Sequence, residues 1–519
     1  MKNIHLIAFL LFCSLGFSQE FGTISGTITL ENKAIRFVNV ALINKKFETQ
    51  TDSLGNYKFE NIAVGNYKIS ISEMEFQPVT KSIVLKLNEN LIVNFDSKIA
   101  DNTLEEVVVS GTMKAVKRLE STIPVEVYSK TFLKKNPTPS VFEALQNVNG
   151  VRPQMNCGVC NTGDIHINGL EGPYTSILVD GMPVVSSLST VYGLAGIPNS
   201  LIERIEIVKG PASTLYGSEA VAGLVNIITK KTQNVPLFAV DYFTTSWLEN
   251  NIDLSGKFSL GEKVSSIAGL NYFKFGQRID NDGDNFTDAT LQDRISIFNK
   301  WNFERSNSRL FSVIVRGLYE DRNGGDLNWT EKDRGGNQIY GESIYTNRVE
   351  LFGNFQLPTD EKLMLSFSGV AHFQDSRYGN TAYVANQKVV FLQLTWDKKI
   401  KNHNFLFGIA NRYTFYDDNT VATSTFEGNN LPEKQNLPGI FAQDEIKINE
   451  RHDFILGMRY DNNSIHGNIL TPRFGYRFKA NENNIFRLNF GTGYRVVNLF
   501  TEDHAALNGS REVEIKASL

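Results

Sequence analysis

After its N-terminus the chain has no apolar run approaching the ~18 residues of a membrane-crossing helix, which excludes a helical membrane protein. Cysteine is scarce, with three in 519 residues, and no four-ligand zinc set can be completed. Seven histidines are scattered, and no HExxH or comparable zinc-hydrolase spacing occurs, so peptidase activity is excluded and the chain reads as no enzyme. Charge of one sign is also missing. Fifty-two Lys and Arg nearly balance 56 Asp and Glu, leaving a net charge of −4 and no basic field for nucleic acid.

What is abundant is aromatic and glycine: 36 Phe, 18 Tyr and 40 Gly. Lys2, the apolar run Ile4–Leu15 and the small residues Gly16 and Ser18 before Gln19 read as a signal peptide over 1–18. Phe12 is too bulky before Cys13 for lipoprotein processing, so the mature chain would keep Cys157 and Cys160 in an oxidising compartment.

After Gln233 a period of two takes over. Ile295, Ile297, Trp301 and Phe303 alternate with Ser296, Lys300, Asn302 and Glu304. Phe405, Phe407, Ile409, Tyr413 and Phe415 share one face against Gly408, Ala410, Arg412 and Thr414. Phe486–Tyr494 repeats the pattern, with Arg487, Asn489 and Arg495 on the inner side, and His372 falls on the inner face of its own strand. Such alternation marks transmembrane β-strands and hides from hydropathy scans. Short polar turns at 261–262, 305–308, 358–361, 399–402, 449–452 and 481–484 alternate with longer segments at 277–291, 323–341, 379–386 and 419–435. This asymmetry predicts an antiparallel transmembrane β-barrel over 235–519, with about thirteen strands to Val496 and another opening at Val513–Leu519. An open edge does not persist in lipid, so the chain is expected to be a fragment or a truncated gene product.

Residues 22–98 show short apolar runs spaced by turns such as Asp52-Ser53-Leu54-Gly55-Asn56, the pattern of a small β-sandwich. Its sequence TDSLGNYKFENIAVGNYKISIS resembles the carboxypeptidase-regulatory-like domain, in fold only. Ile202–Lys231, IERIEIVKGPASTLYGSEAVAGLVNIITKK, joins two strand runs through a Gly-Pro turn. Together with IHINGLEGPYTSILVDGMP at 165–183, it resembles the plug domain of TonB-dependent outer-membrane receptors, expected here over 115–231 as an α+β unit inside the barrel. Ser140–Gln146 reads as a capped helical turn within it.

The resemblance implies the remaining assignments. In DNTLEEVVVSGT (101–112), Glu105, Glu106, Val107, Val108 and Val109 read as a TonB box, which pairs by its backbone with a strand of the energising protein; a plain linker strand is the other reading. Two plug loops that face substrate correspond to RPQMNCGVCNTG (152–163) and VVSSLSTVYGLAGI (184–197), and supply Met155, Asn156, Cys157, Cys160, Ser186, Ser187 and Tyr192 as candidate contacts. Cys157 and Cys160 read as a disulfide closing a tight loop, or as a soft-metal site that Met155 would join.

The loop DNDGDNFTD places Asp280, Asp282, Asp284 and Asp288 at calcium-loop spacing around Gly283, or forms a solvated acidic surface. No cofactor is required. The expected partners are the TonB complex, outer-membrane lipid and a metal-chelate ligand, in a Gram-negative outer membrane. Import of a siderophore or other metal chelate is the expected function; a glycan importer of the same fold or a non-transporting receptor are the alternatives. Glycan importers of this family carry Asp-Ala-Ser-Ala where this chain has Lys209-Gly210-Pro211-Ala212-Ser213, which favours the metal-chelate branch.

Overall fold

The computed structural model describes residues 21–495 except 31–32, 36–37, 44–46, 73–78, 98–106, 136, 158–161, 185–193, 195, 218, 426 and 482–483. The leader at 1–18 and the segment Val513–Leu519 lie outside the described residues. The chain divides into two compact units at Glu106/Val107.

The first unit is a sandwich of two small sheets. One centres on Phe21–Leu30, which pairs antiparallel with Lys33–Ala34 and Asn56–Ala63 and parallel with Asn90–Ile92 and Phe95–Ser97. The other runs in the order Phe47–Gln50, Asn39–Leu42, Gly65–Ser72, Val79–Leu85. Alternate residues fill its core, among them Ile24, Ile28, Val40, Leu42, Phe59, Ile69 and Ile71. The 52–56 turn is held by Asp52, whose Oδ1 accepts the N–H groups of Leu54 and Asn56 at 2.8 Å each. Gly55 there has φ +80°, and a Cβ would meet the Ile28 carbonyl at 2.9 Å.

The second unit holds a plug and a large sheet. The plug's five strands lie in the order Glu126–Ser129, Ile202–Lys209, Gly223–Thr229, Thr175–Val179, Met182–Pro183. Period-two alternation gives this sheet two faces. Ile205, Ile207, Val225 and Ile227 enter one apolar core, while Val208, Leu224 and Leu178 enter another. The helical turn Val141–Ala144 is capped by Ser140, which accepts the Glu143 N–H.

Thirteen antiparallel strands, from Phe238–Thr244 to Ile485–Gly491, form one sheet in sequence order. The fold is therefore mainly β, with a plug and a barrel-type sheet. Outer-face side chains such as Ile297, Ile409, Ile440, Phe486 and Phe490 are exposed, whereas Arg294, Arg316, Arg348 and His372 on the inner face are buried. One loop expectation is corrected. Instead of a long segment at 379–386, Gly379-Asn380 alone joins Lys362–Tyr378 to Thr381–Ile400. Gly379 takes φ +54° to make that turn, and the alternation continues straight through Tyr383 and Ala385.

Ile409, 57% exposed, sits opposite Leu394 and Ile440 near mid-strand on the outer face. In the protein reconstituted in lipid, Ile409→Arg is expected to cost about 2–4 kcal/mol, as arginine does at a bilayer midplane. Denaturant unfolding from vesicles measures it, and a loss near zero would place this face in water.

Candidate functional site

The site is built on the first segment of the plug. Val107–Val108 is a strand paired antiparallel with Val116–Lys117, with Val108 opposite Val116. Val108 is fully buried among Ile123, Val125, Val208 and Leu224, while Val107 is exposed. Glu105 and Glu106 lie outside the described residues.

The next residues are fixed by one carboxylate. Glu206 points away from the Ile205/Ile207 core and is fully buried on the opposite face of the plug sheet. One of its oxygens accepts the Val109 N–H (2.9 Å), the Ser110 N–H (2.9 Å) and the Ser110 hydroxyl (2.6 Å). Its other oxygen accepts Nε and a terminal nitrogen of Arg204 at 2.9 and 2.7 Å. Asn226, the register partner of Glu206 on the next strand, donates to the Ser110 hydroxyl at 2.9 Å and accepts the Gly181 N–H at 3.0 Å.

Further along, barrel side chains grip plug backbone. Arg473 donates to the Gly111 carbonyl (3.4 Å), Arg477 to that of Leu119 (2.8 Å), and Arg487 to those of Ser121 (2.9 Å) and Leu119 (3.1 Å). Lys114 reaches the other way, donating to the Asn404 side chain at 2.8 Å and pairing with Asp397 at 3.1 Å. Higher in the plug, Glu219 receives both terminal nitrogens of Arg412 at 2.8 and 2.9 Å, a fork that fixes direction as well as distance. Burial pushes the Glu219 carboxyl up, but the Arg412 guanidinium more than offsets this and holds it below the usual range. Glu143 lacks such a fork, and burial raises its carboxyl to about 7. A cavity of about 310 Å³ lies between plug and wall, bounded by Val109, Met113 and Lys114, by the turn at 180–183, and by Phe391 and Asp397.

Of the candidate loop residues, Met155 is exposed on the strand Val151–Cys157, whose partner is Thr162–Ile167. Asn156 and Cys157 end that strand, but their side chains are outside the described set, as are Cys160, Ser186, Ser187 and Tyr192 entirely. In the acidic loop, carboxylate oxygens of Asp280, Asp282 and Asp288 lie within 4.8 Å of one another, and Asp284 is not in the group. These carboxylates already accept the loop's own N–H groups: Asp280 from Gly283 and Asn285, Asp288 from Asn281.

Glu206, Asn226 and the barrel arginines carry this arrangement, and sequence reasoning did not single out the first two. The available signal was a carboxylate set between Ile205 and Ile207 in IERIEIV, where its flanking residues are those of a buried strand.

Three family descriptions match the chain: CarboxypepD_reg-like domain over 24–109, TonB-dependent Receptor Plug Domain over 117–224, and TonB dependent receptor-like, beta-barrel over 246–506. The last alone spans half of the sequence. The chain belongs to the TonB-dependent receptor family. The vitamin B12 transporter BtuB of Vibrio vulnificus is 22% identical over 402 residues, covering 76% of this chain and 63% of that protein. The crystal structure of the ferric enterobactin receptor PfeA of Pseudomonas aeruginosa in complex with BCV-L6 matches with TM-score 0.58 at 17% identity, covering 72% of this chain and 63% of that one. The siderophore receptor PirA of the same organism matches with TM-score 0.54 at 18% identity over 72% and 63%. These structural likenesses show the fold, and the chain spans less than two thirds of the length of these relatives. The relatives are receptors and a transporter, not enzymes.

A hydrogen bond from a charged donor contributes about 1.5–3 kcal/mol. Arg487→Ala, which removes the bonds to Ser121 and Leu119 and a longer one to Arg118, is therefore expected to speed amide exchange of the 118–122 backbone by about ten-fold or more in the purified receptor. Exchange at the parental rate would mean that these contacts hold nothing.

Proposed function

We propose that the protein is a TonB-dependent importer of a metal chelate across the outer membrane of a Gram-negative bacterium. The observation that carries the reading is a β-prone segment docked on a plug, which is itself seated against the inner face of a barrel sheet. In this reading Glu105–Val109 is the TonB box, of which Val107–Val109 lie within the described residues. It must leave Val116–Lys117 and Glu206 before its backbone can add to a strand of the energising protein. Because Val109, Met113 and Lys114 bound the cavity along the wall, the same withdrawal opens that cavity at one end. The substrate class is supported by what the relatives' names say of them: siderophores, ferric enterobactin and vitamin B12, the last a cobalt chelate. The paired strands and their connection at 152–163 and the segment at 184–197 are the proposed substrate contacts, with Cys157 and Cys160 proposed to be paired as a disulfide in the resting state.

The test is uptake in a strain lacking its other receptors, with ferric enterobactin, a ferric hydroxamate and vitamin B12 as probes. Uptake of at least one probe is expected to require TonB. Val108→Pro should abolish that uptake while leaving probe binding intact, because proline removes the donor needed for strand pairing. Uptake at the parental rate in Val108→Pro would refute the TonB-box assignment. A growth defect on oligosaccharides alone would shift the reading to the glycan importer.

Calcium at Asp280, Asp282 and Asp288 is proposed from spacing and the convergence of these carboxylates. Chelator should then speed proteolysis within 277–291. An unchanged cleavage pattern would leave these acids as caps for the loop's own backbone.

A further inference from the structure

Glu206 and Asn226 do more than fill the plug interior. Three donors, two of them consecutive backbone N–H groups, converge on a single oxygen of a carboxylate that is fully buried. If the Val109–Ser110 segment leaves, Glu206 keeps only Arg204 as a donor among the described residues, and a buried charge stripped of its donors is costly. The segment is therefore either docked with all three bonds made or away with none, and intermediate positions are disfavoured.

The donor order extends the dock to a second element. Gly181 N–H donates to Asn226 Oδ1, Asn226 Nδ2 donates to Ser110 Oγ, and Ser110 Oγ donates to Glu206. With its oxygen committed to Gly181, Asn226 presents its NH₂ to Ser110, which leaves the serine proton free for Glu206. The turn that supplies Gly181 is itself anchored. Asp180 accepts the Thr229 N–H and Lys300 of the barrel, each at 2.8 Å. The same turn leads through Met182–Pro183 into the segment at 184–197.

We infer that Glu206 is the positioning residue that holds the 107–110 segment docked, and that Asn226 couples this dock to the turn at Asp180–Gly181, so that displacing the turn weakens the grip on the segment. The functional meaning of the dock rests on the proposed import mechanism, whereas the dock itself is testable without substrate or energising partner.

The experiment places a reporter thiol at Val109→Cys in the otherwise intact full-length receptor and follows its labelling by a maleimide in detergent. Barrel integrity is read from heat-resistant electrophoretic migration. Glu206→Gln keeps the shape and removes the charge, and should accelerate labelling by about ten-fold or more with the barrel intact. Ser110→Ala and Asn226→Leu should each accelerate it by a smaller factor. Labelling unchanged in Glu206→Gln with an intact barrel overturns the dock. So does acceleration seen only in variants whose barrel has lost heat resistance. Labelling unchanged in Asn226→Leu overturns the coupling to the turn. Because no uptake is measured, failure here is distinct from failure of the import reading, which the uptake assay tests by itself.

Discussion

Charge buried against the inner face of the thirteen-stranded sheet is the constraint on which the rest of this unit depends. Arg316, Arg348 and Glu350 are each about 1% exposed, and such groups persist only when paired and hydrogen-bonded. Some satisfy each other along the wall, as Arg348 and Arg316 do with Glu350. Others reach inward as well, Arg477 while also paired with Asp453 on the wall. Arg412 finds Glu219, Lys300 finds Asp180, and Arg473, Arg477 and Arg487 find main-chain carbonyls of the plug. The plug is thus a partner for several of the wall's polar groups as well as a body that fills space.

That requirement divides the energetics of plug and wall. Inside the plug, cohesion is apolar, with Ile205, Ile207, Val225 and Ile227 in one layer. Between plug and wall an apolar patch exists at Ile267, Phe298, Ile314 and Phe352, but the named bonds to the first plug segment are polar. Water replaces lost hydrogen bonds to polar groups far better than it replaces apolar packing. The plug's interior is therefore built to stay whole while its contacts to the wall exchange.

Much of the fold was legible in the sequence because strand alternation is a local signal. Ile409 and Phe407 face outward and Ala410 inward, as their spacing implies. The loop at 379–386 was misread because Asn380, Thr381 and Asn386 carry turn-like chemistry, while the alternation of Tyr383 and Ala385 had priority in deciding the strand. Much less of the site was legible. Val107–Val109 could be named as a β-prone run from its composition and its place before the plug, but its anchor is Glu206, about a hundred residues away in the chain. Arg487 could be placed on an inner face, yet its target, Ser121, lies 366 positions earlier. Periodicity reports which way a side chain points, and it carries no information about what it meets.

The geometry of the first plug segment also sets an order of events for any pull applied at Val107. The pairing of Val107–Val108 with Val116–Lys117 is only two residues long and bears the load first, with Val107 exposed and Val108 packed in the plug core. Glu206 comes next, and there three bonds to one carboxylate must break together. Only then does tension reach the carbonyl of Gly111, Lys114, and the carbonyls of Leu119 and Ser121, the last two sharing Arg487. A cooperative step placed first gives a threshold: below it the segment stays docked, and above it the load passes to the charge-assisted bonds of the wall. The buried carboxylate is where that threshold resides.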